Sequence, residues 1–145
     1  MSLDGAYDPD NIFARIIRGE IPCVKVFDDG RVMAIMDVYP QSEGHVLVIS
    51  RVSKARNLLE VEPEVLAELA AATQRVARAV REALAPDGIT ISQFNGAAGG
   101  QTIFHLHFHV VPRWEGRPLK GHAQAPMADT AALQATAAKI AAALR

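Results

Sequence analysis

The sequence predicts an α+β fold, a single twisted antiparallel sheet of about five strands with one principal helix and a C-terminal helix packed on it. Three observations predict it. Most of the β-rich runs are joined by links too short for a parallel crossover, so the pairing is antiparallel. From Glu62 to Leu84 the apolar residues recur every three or four positions, the signature of a helix resting on a core. Within the stretch from Ile103 to Arg113, His105, His107 and His109 alternate with apolar side chains, the pattern of a strand buried on one face.

At 145 residues and 50 % hydrophobic composition, residues 1–145 form one domain with a substantial core and need no second one. Lys and Arg number 15 against 16 Asp and Glu, a formal net charge of −1, so no basic bias points to nucleic acid or a membrane surface. A small anion would have to be bound locally. The single cysteine, Cys23, rules out an internal disulfide framework and suits a reducing compartment. Residues 1–10 are acidic and turn-like, with no apolar run that could act as a signal or a span; they are expected to be poorly ordered, and the protein cytoplasmic.

In chain order, Asn11 to Gly19 reads as a short helix, with Asn11 at its N-cap, Gly19 at its C′ position, and Ile12, Phe13 and Ile16 on its apolar side. Two strands, Cys23–Asp28 and Arg31–Asp37, flank a hairpin turn at Asp28-Asp29-Gly30. A loop punctuated by Pro40 and Gly44 leads into a third strand, His45–Ser50. The principal helix has Pro63 in its first turn and a buried stripe of Val65, Leu66, Leu69, Ala72, Val76, Val80 and Leu84, and it ends at Ala85-Pro-Asp-Gly88. Ile89 to Phe94 is the fourth strand and the histidine segment the fifth. After Pro112 the segment to Pro126 is irregular. Ala131 to Leu144 is a helix whose thin stripe, Leu133, Ile140 and Leu144, must rest on the domain or on a second subunit.

His105, His107 and His109 carry the chemistry. On a strand, alternate side chains share a face, and neighbouring imidazoles lie roughly 6.6 Å apart. Three imidazoles in a core-forming segment need partners for their ring nitrogens. They can be a polar face, a metal site, to which His45 could add a fourth ligand, or a phosphate site in which one neutral imidazole is the nucleophile and its neighbours move protons. The preceding Asn95-Gly-Ala-Ala-Gly-Gly-Gln-Thr102 loop favours the last. Its small residues let backbone N–H groups and the Gln101 and Thr102 side chains approach an anion.

His105-Leu-His-Phe-His-Val-Val111 resembles the signature of the histidine-triad (HIT) superfamily of nucleotide hydrolases and transferases. The likeness extends from Asn11–Pro22 through Asp37, Pro40 and Gly44-His45 to Gly100-Gln101. It is strongest to the Hint branch of nucleoside phosphoramidases and weaker to the Fhit branch of dinucleoside polyphosphate hydrolases. The resemblance implies a HIT-like fold, a purine nucleotide substrate and a covalent nucleotidyl-histidine on His107, with His105 and His109 beside it and His109 as the acid. It implies His45 as an additional site histidine, Asp37 at the ribose, Ile12, Phe13 and Ile16 against the base, and Gln101 and Thr102 beside the α-phosphate. No cofactor is required. A nucleotide-binding or interaction protein with little turnover is the rival from another class.

Two departures stand out. Many bacterial relatives hold structural zinc with a Cys-x-x-Cys pair where this chain has Asn11 and Ala14, so no metal is expected. The phosphate-contacting Asn or Gln of the family falls on Phe94; Asn95, one position away, is the candidate to take its place at the phosphate, and whether it does is open because a shift of one position in a strand turns the side chain to the other face. The resemblance further implies a homodimer. The principal helix offers Ala70, Ala71, Ala77 and Ala79 for close approach, and the C-terminal part from Arg113 onward, with Trp114, is expected near the partner's nucleotide site.

Overall fold

The computed structural model describes residues 2–120 and 126–145. Five strands, β1 (Lys25–Asp28), β2 (Val32–Met36), β3 (Val46–Ser50), β4 (Gly88–Ser92) and β5 (His107–Arg113), form one sheet in the order β1-β2-β3-β5-β4. Every neighbouring pair is antiparallel, as the short links require. The first hairpin closes through carboxylates, with Asp28 accepting from the Gly30 N–H and Asp29 from those of Arg31 and Val32. Gly30 takes the left-handed φ of 85° that the turn needs.

Three α-helices complete the described fold: α1 (Ile12–Ile17), α2 (Pro63–Leu84) and α3 (Thr130–Ala142), with a 3₁₀ turn at Ala97–Gly99. Asn11 caps α1 by accepting from Ala14 N, and Asp129 caps α3 by accepting from Ala132 N. Pro63 opens α2, and Ala85 ends it in the left-handed region at φ 49°, just before Pro86.

The two faces of the sheet bury different things. Val32, Ala34, Met36, Val46, Val48 and Val110 point to one side, where the stripe of α2 and the Leu133, Ala137 and Ile140 side chains of α3 cover them. Met33, Ile35, Leu47 and Ile49 point to the other, where Phe13 and Ile16 of α1 pack. His107 and His109 pair with Ile49 and Leu47, which puts both imidazoles on the α1 face. By the same parity His45 and Asp37, just outside β3 and β2, face the same way. Gly44 positions His45: it has φ 88°, and a β-carbon there would fall 2.3 Å from Leu84 Cδ1.

Several elements differ from the sequence reading. The fifth strand begins at His107, because residues 103–106 leave the ladder and Leu106 N donates instead to Ala55 O. His105 therefore precedes the strand. Ala79 is buried in the core beside Val76 and Val80, so it cannot serve a helix contact between subunits; Ala70 and Ala71 are exposed and Ala77 is half-buried. The thin stripe of α3 rests on its own domain, against α2, β1 and β2. Of the irregular segment expected from after Pro112 to Pro126, Arg113 still belongs to β5, and residues 121–125 lie outside the described residues.

Ile140 is fully buried in that contact. Ile140→Ala is expected to cost about 2–5 kcal/mol, the range for a large aliphatic removed from a packed site, read from urea unfolding. A loss under about 1 kcal/mol would mean that α3 does not depend on this packing.

Candidate active site

A cavity of about 590 Å³ opens between α1, the ends of β2, β3 and β5, and the segment leading into α3. Ile12, Phe13, Ile16, Asp37, Thr102, His107 and His109 all line it. Phe13 meets the His107 ring edge-on at 4.8 Å between centroids, and the His107 and His109 centroids are 5.0 Å apart.

Proton positions follow from the hydrogen-bond partners, because a carbonyl can only accept and a backbone N–H can only donate. The Nδ1 of His107 lies 2.7 Å from the His105 carbonyl oxygen, so Nδ1 carries the proton and the lone pair is on Nε2. His105 Nε2 lies 2.7 Å from Ser50 O and must donate, which leaves Nδ1 to accept from the Tyr7 hydroxyl at 2.7 Å. Gln41 N donates to His45 Nδ1 at 3.1 Å, so the proton of His45 is on Nε2. That N–H has two acceptors within reach, His109 Nδ1 at 2.9 Å and a carboxylate oxygen of Asp37 at 3.5 Å. Donation to His109 puts that ring's own proton on Nε2. The other Asp37 oxygen accepts from Tyr39 N at 2.8 Å.

Burial sets the charge state. Loss of water around His107 holds its pKa far below the ordinary imidazole value, down to about 3. The His105 carbonyl and Asp37 oppose this shift, while His109 and His105 add to it. His105 is lowered by the same desolvation, against the opposing bond to Ser50 O. His107 is thus a neutral imidazole near pH 7, the form with a lone pair to share.

Two expected anion contacts are committed elsewhere. Gln101 is buried and does not line the cavity; its side-chain oxygen accepts from Gly96 N, and its nitrogen donates to the Arg56 and Ile103 carbonyls, which locks the Gly loop. Asn95 accepts from Leu58 N and exchanges bonds with Gln93. Phe94 faces the site instead, its ring 5.3 Å from that of His109. The sequence reading did not find Tyr7, Arg56 or the cavity wall contributed by Met127, Ala128, Thr130, Leu133 and Gln134. Its only hint of Tyr7 was one aromatic residue in an acidic, turn-like stretch.

The residues do not fit the structural zinc site that the resemblance brings up. Asn11 spends its oxygen on the helix cap, Ala14 has no ligand atom, and both His105 nitrogens are engaged. Asp37, His45 and His109 do bring one ligand atom each within 4.8 Å of one another. The Gln41 bond, however, keeps a proton on the His45 nitrogen that faces this group, and a metal would have to displace it.

The sign of the pH effect follows from the depressed pKa of His107. Between pH 6.5 and about 3 the unfolded chain binds a proton there that the folded chain refuses, so this group's contribution to stability is present above pH 6.5 and lost as pH falls. ¹⁵N NMR is expected to show His107 neutral and protonated on Nδ1 down to pH 5, with denaturant stability declining below pH 6.5 by at most about 1.4 kcal/mol per unit from this group. An imidazolium signal for His107 at pH 6 would contradict the assignment.

Residues 18–116 match the HIT domain family. The chain is 48 % identical to a Hit-like protein from Bartonella henselae whose crystal structure superposes with a TM-score of 0.88, over 96 % of this chain and 100 % of that one. It is 36 % identical to an adenylylsulfatase of Arabidopsis thaliana over 119 residues, 78 % of this chain and 60 % of that protein. It is 33 % identical to an adenosine 5′-monophosphoramidase of Schizosaccharomyces pombe over 102 residues, 70 % of this chain and 73 % of that one. The chain belongs to the HIT domain family, and its α+β fold is that family's fold.

Proposed function

We propose that the protein is a nucleotide hydrolase that cleaves the bond between the α-phosphate of a purine nucleotide and a small leaving group, with a nucleoside phosphoramidate as the preferred class. The observation that carries this reading is the backbone-fixed tautomer of His107, which holds a neutral Nε2 lone pair on a ring lining a nucleotide-sized cavity. The names of the Arabidopsis and fission-yeast relatives, an adenylylsulfatase and a phosphoramidase, support the substrate class.

In the first step the His107 Nε2 pair forms a bond to phosphorus, and the bond to the leaving group breaks with its electron pair. Positive charge that develops on the imidazole is stabilised through Nδ1–H by the His105 carbonyl. The leaving amine or sulfate takes up a proton where needed, and His109 is the donor. A neutral His109 offers only a hydrogen bond from Nε2; full transfer needs the imidazolium. Swinging the His45 N–H from His109 to Asp37 is what lets His109 Nδ1 take that extra proton. In the second step water gives its proton to His109 and its oxygen to phosphorus, and the N–P bond breaks to restore His107. Asp37 suits the ribose hydroxyls, Ile12, Phe13 and Ile16 the base, and Thr102 the phosphate side.

Phe94 against His109 favours a second reading, a nucleotide-binding protein with little turnover, since an apolar ring stands where an amide would donate to phosphate. Purified wild type and His107→Ala, assayed on adenosine and guanosine phosphoramidates and on diadenosine polyphosphates, separate the two. Turnover that falls about 10³-fold or more in the variant is expected, as for loss of a nucleophile. Nucleotide binding without wild-type turnover on any of these substrates would establish the second reading, and turnover of the dinucleotides alone a Fhit-like one.

The assembly we infer is a homodimer through the exposed edge at β4, where Ile91 is uncovered, and the Ala70 and Ala71 face of α2. Trp114, half-buried and under the Arg117 guanidinium, belongs to the C-terminal region proposed to approach the partner's site. The Met127–Gln134 part of that region already lines the chain's own cavity. Light scattering at micromolar concentration is expected to give twice the 15.6 kDa chain mass. A monomer there would remove the assembly and leave the chemistry untouched.

A further inference from the structure

The N-terminal residues 2–10 run across the site side of the molecule, and of these nine residues Tyr7 is the one that is half-buried. The strap is tied down by its own backbone. Leu3 O accepts from Asn57 Nδ2 at 3.1 Å and from Arg56 Nη1 at 3.3 Å, and Gly5 lies against the same guanidinium. The Leu3 side chain covers Gly96, where a β-carbon would sit 3.1 Å from it. Arg56 is itself buried, with Phe104 beneath it at 5.0 Å and its carbonyl bonded to Gln101. One buried cation therefore joins the strap, the Gly loop and the approach to the triad.

Tyr7 is what the strap delivers. Its hydroxyl meets His105 Nδ1 at 2.7 Å, with the two rings at 61° and 5.7 Å between centroids. His105 lies before β5 begins, so its carbonyl is not held by the strand ladder. The anchors on this residue are its ring, clamped between Tyr7 and Ser50 O, and the adjacent Leu106 N–H bonded to Ala55 O. That same carbonyl accepts the Nδ1 proton of His107.

We propose that Tyr7 is a positioning residue of the active centre: by donating to His105 Nδ1 it holds His105 in one tautomer and one orientation, and so holds the carbonyl that orients the His107 nucleophile. The role rests on the hydrolase reading above for its effect on rate, but the orientation of His105 does not. Without the hydroxyl, Nδ1 of His105 loses its donor, the ring can turn or admit water, and the 105 carbonyl loses one of its fixed points.

Tyr7→Phe tests this, because it keeps the aromatic ring and removes only the hydroxyl. The variant is expected to melt within a few degrees of wild type and to keep its KM for a nucleoside phosphoramidate, while kcat falls about tenfold, the scale of one buried hydrogen bond. Its ¹⁵N spectrum is expected to show the His105 Nδ1 resonance moved toward that of an acceptor without a donor, and the His107 signals perturbed with it. Tyr7→Ala, which also removes the ring, is expected to lower kcat at least as far. A Tyr7→Phe protein with wild-type kcat, or with unchanged His105 resonances, overturns the proposal. Should the wild type turn over no nucleotide, the hydrolase reading fails by itself, and the ¹⁵N comparison still decides whether Tyr7 fixes His105.

Discussion

The site depends on one hydrogen bond, from Nδ1–H of His107 to the backbone carbonyl of His105. A neutral imidazole has a single ring proton, and the nitrogen that keeps it cannot attack. Were the proton on Nε2 instead, two acceptors would face each other at 2.7 Å inside the protein, a loss of roughly 1–3 kcal/mol for the unmet pair. Burial adds a second constraint by keeping the ring uncharged. Tautomer and charge are thus both decided by the fold itself, the preorganisation that the proposed role of His107 calls for.

The rest of the fold supplies that geometry at some cost. Asp37, His45, His105, His107, His109 and Gln101 are all buried, and buried polar groups destabilise unless each is paired. The pairs are met mostly by backbone: Gln41 N and Ser50 O for the histidines, Tyr39 N for Asp37, Gly96 N for Gln101. Backbone partners are fixed by the sheet and its loops, so they direct protons more reliably than mobile side chains do. The larger apolar cluster lies on the opposite face of the sheet, against α2 and α3, where side-chain packing holds the strands from behind the site.

This division also gives the unusual features of the chain a physical sense. At the two positions where the resemblance brings up a Cys-x-x-Cys pair, this chain has the capping Asn11 and Ala14, and the His105 ring is held by a phenol on an N-terminal strap. At the position where the resemblance implies an amide, the chain has Phe94 packed on His109, with the neighbouring Asn95 turned to the Leu58 backbone. A one-residue offset at a strand end is enough to exchange the two sides.

What the sequence by itself determined is what local chemistry repeats. The hairpin at Asp28–Gly30, the Asn11 cap, Pro63 at the start of α2 and the apolar stripe to Leu84 are each legible because short-range hydrogen bonding and periodicity suffice to specify them. The antiparallel sheet follows from link length, and the family from the spacing of three histidines. Tertiary structure decided what depends on partners distant in the chain. The alternation that suggested a strand from Ile103 continues through residues whose backbone is claimed by Ala55, so the ladder starts only at His107. Ala79 stands three positions after Val76 and beside Val80, on the stripe side of the helix, and the helix's seat on the sheet is what buries it. Gln101 looks like an anion ligand until Gly96 and Arg56 occupy both ends of its amide. Tyr7 stands 98 positions from His105, and no local pattern records a bond between residues that meet only when the chain is folded.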